Sequence, residues 1–515
     1  MHEQKPSIAT TTAGKIRGSV RDSIHVFKGV RYGADTSTTR FAAPQAPAPW
    51  TDVRDALEYG NSSPQGPSGD AGGLFASWRP QPAFPLSEDC LFLNVWTPGV
   101  GDGKKRPILV WLHGGGFVTG SGSSNAYEGT RLAKRGDVVV ITINHRLNVF
   151  GHLYLGAYGD EFADSGNAGV LDIVLALEWV RDNAAEFGGD AGNVTIFGES
   201  GGGAKVSVLM NTDRAKGLFH RGIVQSGPWL RLMAAEDASA NAARMVEALG
   251  LTRDRIGELR KLSMEQILQG WRKAAPAGRG IADGPVLDYR TFTRHPFEPD
   301  AAPQGRSVPM MIGVCSTETS LLAGAGQPGL FDLTWTSLRE QLAPQLAGLD
   351  PVATIEAYRR LHPDYTPAEA YFRITTERGF FRSSMLQAER KAAQGGAPTF
   401  FYILEWKTPV HGGKWHTPHA LDIGFVFDNV ARSESMSGVG DDQQRLADIM
   451  SETWLAFART GDPNNAQLPH WPAYDAERRA SMVLDLEPRV ENDPRAAERA
   501  LFKRPPRPAQ VAPSP

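Results

Sequence analysis

Cysteine is nearly absent from this chain: its 515 residues include two, Cys90 and Cys315. So low a count excludes a disulfide framework and a cysteine-rich zinc site. One bridge or two thiols remain, and two reduced thiols in a cytoplasmic protein is the expectation. Long apolar runs are missing as well. No stretch approaches the roughly 18–20 residues of a membrane span, and residues 1–14 show no apolar segment of the kind a secretory leader carries. An excess of charge of one sign is also lacking. With 54 Lys+Arg against 57 Asp+Glu the formal net charge is −3, which gives no general reason to bind nucleic acid or anionic lipid. No fixed-period repeat is present.

What is abundant is glycine, 55 residues, and proline, 36, spread along a chain that is 41% hydrophobic and 22% charged. That composition belongs to a globular protein with many turns and a sizeable core. Residues 61–73 (NSSPQGPSGDAGG) are rich in Ser, Pro and Gly and are expected to form a mobile surface loop. Residues 503–515 (KRPPRPAQVAPSP) are expected to form a disordered tail. Between them, short apolar runs at 107–112 (PILVWL) and 137–143 (DVVVITI) fit strands buried on both faces of a mostly parallel sheet. Residues 168–187 carry apolar side chains at three- and four-residue spacings, predicting a helix stopped by Gly188-Gly189. Strands are predicted at 193–197, 221–225, 308–314 and 399–405, with helices at 202–210 and 442–459 and a mainly helical stretch from 235 to 394. This alternation argues for a right-handed parallel α/β sheet.

The sharpest local signal is Gly198-Glu199-Ser200-Gly201-Gly202, directly after one predicted strand and before a helix. Glycines around a serine at this spacing allow a strained strand-to-helix turn, and the helix N-terminus favours developing negative charge. As a phosphate loop the stretch fails: Ala204 stands where the lysine is needed, Lys205 comes one position late, and no Ser or Thr follows it. His113-Gly114-Gly115-Gly116-Phe117 follows the strand at 107–112. Such a glycine run lets backbone N–H groups point into a site, so Gly115, Gly116 and Gly201 are the candidate oxyanion donors.

With these two motifs the chain resembles the type-B carboxylesterases, the cholinesterase-like branch of the α/β-hydrolase superfamily. Residues 88–95 (EDCLFLNV), 183–200 (NAAEFGGDAGNVTIFGES), 454–464 (WLAFARTGDPN) and 468–474 (LPHWPAY) are similar to successive signatures of that family. The resemblance implies an α/β-hydrolase fold: a mostly parallel central sheet flanked by helices, with long helical insertions forming a cap over the active site. It implies one domain over residues 7–502. It also implies a Ser–His–Glu triad of Ser200, Glu318 and His419. Glu318 follows the strand at 308–314, although Thr317 and Thr319 replace the family's usual acidic residue and glycine. His419 is chosen from twelve histidines because Ala420, Asp422 and the run ending at Phe427 follow it in the family's pattern. His411 and His416 lie nearby, but no Cys or carboxylate completes a metal-ligand spacing with them.

The implied chemistry is hydrolysis of a small carboxylic ester to acid and alcohol through an acyl-enzyme, with no cofactor and no metal. Amide, carbamate or lactone substrates would use the same machinery; a non-catalytic binding module of this fold is the reading from another class. Phe117, Glu199 and Trp229 are candidates for the substrate pocket, Trp229 equally for the core. Cys90 holds a motif position that secreted relatives pair with an upstream cysteine. None precedes it here, in keeping with a cytoplasmic, bacterial enzyme. Opposing effects of the triad acid and of burial predict a histidine ionisation between roughly pH 6 and 7.5.

Overall fold

The apolar runs pair into one 13-stranded sheet in a computed structural model that describes residues 6–66, 69, 71–80, 83–275, 284–346 and 348–502. From one edge the order is Pro6–Thr10, Lys15–Arg21, Ile24–Arg31, Phe92–Thr97, Val139–Ile143, Arg106–Leu112, Gly189–Glu199, Arg221–Gln225, Met310–Cys315, Thr399–Leu404, Ser481–Leu484 and Arg489–Glu491. The short Arg54–Asp55 pairs beside Lys15–Arg21. Strands from Val139–Ile143 to Ser481–Leu484 are mutually parallel, and both margins are antiparallel. The period of two is visible in the packing. Ile108, Val110 and Leu112 enter one apolar layer, whereas Leu109 and Trp111 enter the layer on the opposite face. The continuous apolar runs are thus explained by burial on both faces.

Most predicted elements form, with informative differences at their ends. The helix read as 168–187 is Ala168–Asn183, and Asn183 ends it with its own side chain. Its Nδ2 donates to Trp179 O at 2.8 Å while its Oδ1 accepts from Thr12 N at 2.8 Å, so the chain turns before reaching Gly188-Gly189. The strand read as 193–197 begins at Gly189, where an irregularity lets Arg106 pair with Gly189 ahead of the regular register. The helical stretch builds two satellite cores. Ala235–Ala248 and Met264–Ala274 pack with Phe150, Leu153 and Phe162. Trp335–Leu342, Pro351–Leu361 and Pro367–Thr376 pack around Leu338, Tyr358 and Phe372. Among the described residues no helix is long and apolar enough to cross a membrane.

The loop expected to be mobile at 61–73 is anchored over Ser62 to Gln65, whereas Gly69 and Gly72 are exposed. Ser62 and Ser63 are buried, Ser63 Oγ accepts from Leu147 N at 3.1 Å, and Gln65 binds both the N–H and the C=O of Gly120. Low apolar content hid these polar anchors. The tail expected at 503–515 lies outside the described residues.

One buried ion pair was invisible in the sequence. Arg146, at the end of the 139–143 strand connection, and Asp172, on helix Ala168–Asn183, have side chains only 2% and 0% exposed. Asp172 Oδ2 accepts from the Arg146 backbone N–H at 2.9 Å, Asp172 Oδ1 from Nη2 at 2.6 Å, and Ala42 O takes Nη1 at 2.9 Å. Removing one partner of such a pair leaves an uncompensated buried charge. Asp172→Ala should therefore destabilise the fold by about 3–5 kcal/mol, whereas the paired Arg146→Met/Asp172→Leu change should recover most of that loss. Urea unfolding of the three proteins checks this, and equal losses in the single and double variants would contradict it.

Candidate active site

Loops at the carboxyl ends of five neighbouring parallel strands, from Arg106–Leu112 to Thr399–Leu404, converge, the usual place for a site in such a sheet. Gly189–Glu199 runs straight into helix Gly201–Leu209, with Ser200 the only residue between them. Ser200 takes φ 55° and ψ −121°, a conformation that costs a non-glycine residue on the order of 1–3 kcal/mol. It persists because Ser200 N donates to Gln225 O at 2.8 Å and Ser200 O accepts from Ala204 N at 3.0 Å. The turn leaves Ser200 half-buried while Glu199 beside it is buried.

The glycine loop at 113–117 docks on this turn through bare backbone. A Cβ on Gly201 would lie 2.2 Å from Gly116 O and 2.4 Å from Gly116 N, so only glycine permits the approach. Gly115 and Gly116 have φ of 86° and 62°, the left-handed region that glycine occupies without strain. Among the described residues the N–H groups of Gly115 and Gly116 donate to no other group. The structure therefore brings Gly115, Gly116, Ser200 and Gly201 together.

Glu318 follows Met310–Cys315 and is fully buried. Its Oε1 accepts from Cys315 N at 2.8 Å, and its Oε2 accepts from His419 Nδ1 at 2.5 Å. The two threonines that depart from the family pattern tie its loop down. Thr317 N donates to Thr417 O at 3.2 Å and Thr317 Oγ1 accepts from Thr417 N at 2.9 Å, locking the Glu318 loop to the His419 loop. Thr319 Oγ1 donates to Phe372 O at 3.0 Å. His411 and His416 go elsewhere: His411 Nδ1 accepts from Trp415 Nε1, and His416 lies 3.8 Å from Glu369.

The second ring nitrogen of His419 meets a different carboxylate. Glu199 Oε1 lies 3.1 Å from Nε2, but the alignment is too poor for a hydrogen bond, and both atoms are buried without a hydrogen-bond partner. Ser200 Oγ is therefore not bonded to Nε2 in this state. Burial lowers the proton affinity of His419, but Glu199 and then Glu318 outweigh it and hold the imidazole above its ordinary range. Burial likewise pushes the Glu199 carboxyl up, with His419 opposing. Asp422, three residues beyond His419, is also driven up by burial. It accepts from Gln225 Nε2 at 2.9 Å and Tyr402 Oη at 3.0 Å, linking the histidine loop to the neighbouring strand Arg221–Gln225, whose Gln225 O accepts from Ser200 N.

Phe117 is 1% exposed and packs edge-on against Trp229, ring centroids 5.3 Å apart. Trp229 is partly buried against the same apolar layer. Sequence reasoning missed two neighbours of the site. Phe380, in the π-helical turn Glu377–Phe381, lies 5.3 Å from the His419 ring; no motif marks it. Lys205 is buried at 1% exposure under the glycine loop, and its charge in an otherwise apolar helix was the available signal.

Comparison with known proteins gives the family. The family model described as "Carboxylesterase family" matches residues 4–502. The chain is 34% identical to the para-nitrobenzyl esterase of Bacillus subtilis over 96% of this chain and 97% of the relative. It is 34% identical to the phenmedipham hydrolase of Pseudarthrobacter oxydans over 93% and 95% of the two. Among solved structures, a carboxylesterase of Geobacillus stearothermophilus superposes with a TM-score of 0.83 at 38% identity, over 96% of this chain and 100% of that one. The chain belongs to the carboxylesterase family: it has the α/β-hydrolase fold and is a carboxylic ester hydrolase.

Proposed function

We propose that Ser200, His419 and Glu318 are the catalytic triad, that Gly115, Gly116 and Gly201 supply the oxyanion donors, and that Phe117, Glu199 and Trp229 shape the substrate pocket. In this reading residues 7–502 act as one catalytic domain. Two unpaired, buried thiols support a cytoplasmic location in a bacterium. The observation that carries the reading is the buried 2.5 Å hydrogen bond from His419 Nδ1 to Glu318, which leaves Nε2 as the base at the elbow side of the ring.

The chemistry follows from those positions. Substrate binding brings Ser200 Oγ to Nε2, a contact that is often loose before a substrate is bound. Nε2 takes the hydroxyl proton as Oγ attacks the ester carbonyl, and the oxyanion receives the glycine N–H groups. Glu318 holds the Nδ1–H tautomer and stabilises the imidazolium. His419 then protonates the leaving alcohol and, in the second half, activates water to release the acid. The small substrate is a carboxylic ester, and no step calls for a metal or cofactor.

Ser200→Ala should leave the fold intact and lower kcat by about 10⁶-fold, with loss of fluorophosphonate labelling. A variant within tenfold of the wild type removes Ser200 from the mechanism.

Glu318→Gln should lower kcat by roughly 10³–10⁴-fold, because the orienting charge goes but nucleophile and base remain. Glu199→Gln should be the milder change in a side-by-side assay. The reverse order would transfer the acid role to Glu199.

The pH profile follows from the sign of the His419 shift. Only the neutral imidazole accepts the Ser200 proton, so activity disappears as pH falls through the ionisation of His419. The carboxylates Glu318, Glu199 and Asp422 around the ring hold that ionisation up. The rising limb of kcat/KM should then centre above the ~6.5 of an ordinary histidine, displacing the range expected from sequence to higher pH. Glu199→Gln removes one negative charge and should move the limb to lower pH. An unmoved limb in that variant would contradict the assignment of Glu199 as a group facing the base.

A further inference from the structure

Lys205 is the fifth residue after Ser200 and the fifth of helix Gly201–Leu209, a helix whose residues are all buried. Its side chain is 1% exposed, an unusual place for a charge whose burial costs heavily unless it is bonded. Its partners are backbone carbonyls: Nζ donates to His113 O and to Gly116 O, each at 2.8 Å. The Phe117 ring covers it, with the centroid 5.3 Å from Nζ.

The two carbonyls are the informative part. They belong to the peptide units 113–114 and 116–117. Those units bracket the two that carry the N–H groups of Gly115 and Gly116. The bracketed units have bonds of their own within the loop: Gly114 O accepts from His113 Nδ1 at 2.8 Å, and Gly115 O accepts from Val118 N at 3.2 Å and Thr119 N at 3.0 Å. Both Gly115 and Gly116 sit at positive φ, without the side-chain restriction other residues would bring. Those bonds set the shape of the loop but do not tie it to the helix that starts at Ser200, so its placement against the nucleophile needs an anchor from outside the run. Lys205 rises from the same helix that starts at Ser200, so it references the loop to the nucleophile directly.

We propose that Lys205 is a positioning residue for the reaction: by binding the carbonyls of His113 and Gly116 it fixes both ends of the glycine loop and presents the Gly115 and Gly116 N–H groups to the oxyanion formed on Ser200. Burial lowers the affinity of the ammonium for its proton, and Glu199 counters this in part. A neutral amine keeps two N–H bonds and can still hold both carbonyls. The role is one of donor geometry. It rests on the oxyanion reading given above.

The test uses the full chain with Lys205→Met, which keeps the length and removes the donors. Circular dichroism checks the fold, a para-nitrophenyl ester gives kcat and KM, and an aryl trifluoromethyl ketone, which forms a tetrahedral adduct, gives a dissociation constant. The expected result is a folded protein with KM within about threefold of the wild type and kcat reduced about 10–100-fold, a partial loss on the scale of an oxyanion donor. Ketone affinity should fall by a similar factor. A lysine needed only for packing would lower the melting temperature without separating kcat from KM or weakening the ketone selectively. A kcat within twofold of the wild type, or a fall in kcat with unchanged ketone affinity, would overturn the proposal. Should Lys205→Met not fold, Lys205→Gln carries the same measurements, and failure of both to fold would also overturn it. Fluorophosphonate labelling of the wild type separates the two layers. An unlabelled Ser200 defeats the reading beneath the proposal, whereas a labelled wild type beside an unimpaired Lys205→Met defeats the lysine's role alone.

Discussion

A strand and a helix that share one residue between them set the conditions for everything else at this site. Because Glu199 still belongs to the strand and Gly201 already to the helix, Ser200 must reverse the chain alone, at φ 55° and ψ −121°. That turn projects a small hydroxyl out of the sheet and places the helix N-terminus beneath it. It also brings the backbone so close to its neighbours that side chains are excluded. A Cβ on Gly202 would lie 1.9 Å from Leu112 O, and one on Gly227 would lie 2.1 Å from Ser200 O. The glycines are thus the condition under which the loops after three different strands can pack against one strained residue.

The electrostatics around His419 form a second constraint, set by how many bonds each buried carboxylate receives. Glu318 takes the Cys315 N–H and the imidazole Nδ1. Asp422 takes Gln225 and Tyr402. Glu199 Oε1 takes none. Burial pushes both Glu199 and Asp422 up, and each keeps one oxygen without a hydrogen-bond partner. Three acidic side chains near one ring therefore sit differently: Glu318 bonds Nδ1 of His419, Asp422 ties the histidine loop to Gln225, and Glu199 faces the other ring nitrogen.

The helical insertions matter to this arrangement through a few contacts. The π-helical turn Glu377–Phe381 places Phe380 on the His419 ring, and Thr319 is held by Phe372 O and Thr375 Oγ1 from the preceding helix. An apolar ring thus lies against the imidazole, and the loop of Glu318 is braced where that carboxyl is buried. The same insertions build their own small cores, and the π-helical turn is also anchored on the central sheet, where Phe381 packs on Phe401 of strand Thr399–Leu404 with ring centroids 5.8 Å apart.

The features legible in the sequence were those decided over a few consecutive residues. Apolar runs such as 107–112, the turn chemistry of Gly198 to Gly202 and the glycine run after His113 depend on period and local sterics, and they appear in the fold as read. The pairing of His419 with Glu318 was implied by the family resemblance, in which Glu318 follows a recognisable strand and His419 opens the run to Phe427. Helix ends were misplaced where a distant chain intervened, as when Thr12 meets Asn183. The packed loop at 61–66, the Arg146–Asp172 pair, the approach of Glu199 to Nε2 and the grip of Lys205 on two carbonyls were not legible. Each joins residues brought together by the sheet, and their energies depend on burial, which sequence spacing does not reveal. The residue types and local turns were thus determined by the sequence itself. Which carboxylate faces which ring nitrogen, and which lysine is buried, were decided only when the strands assembled and excluded water.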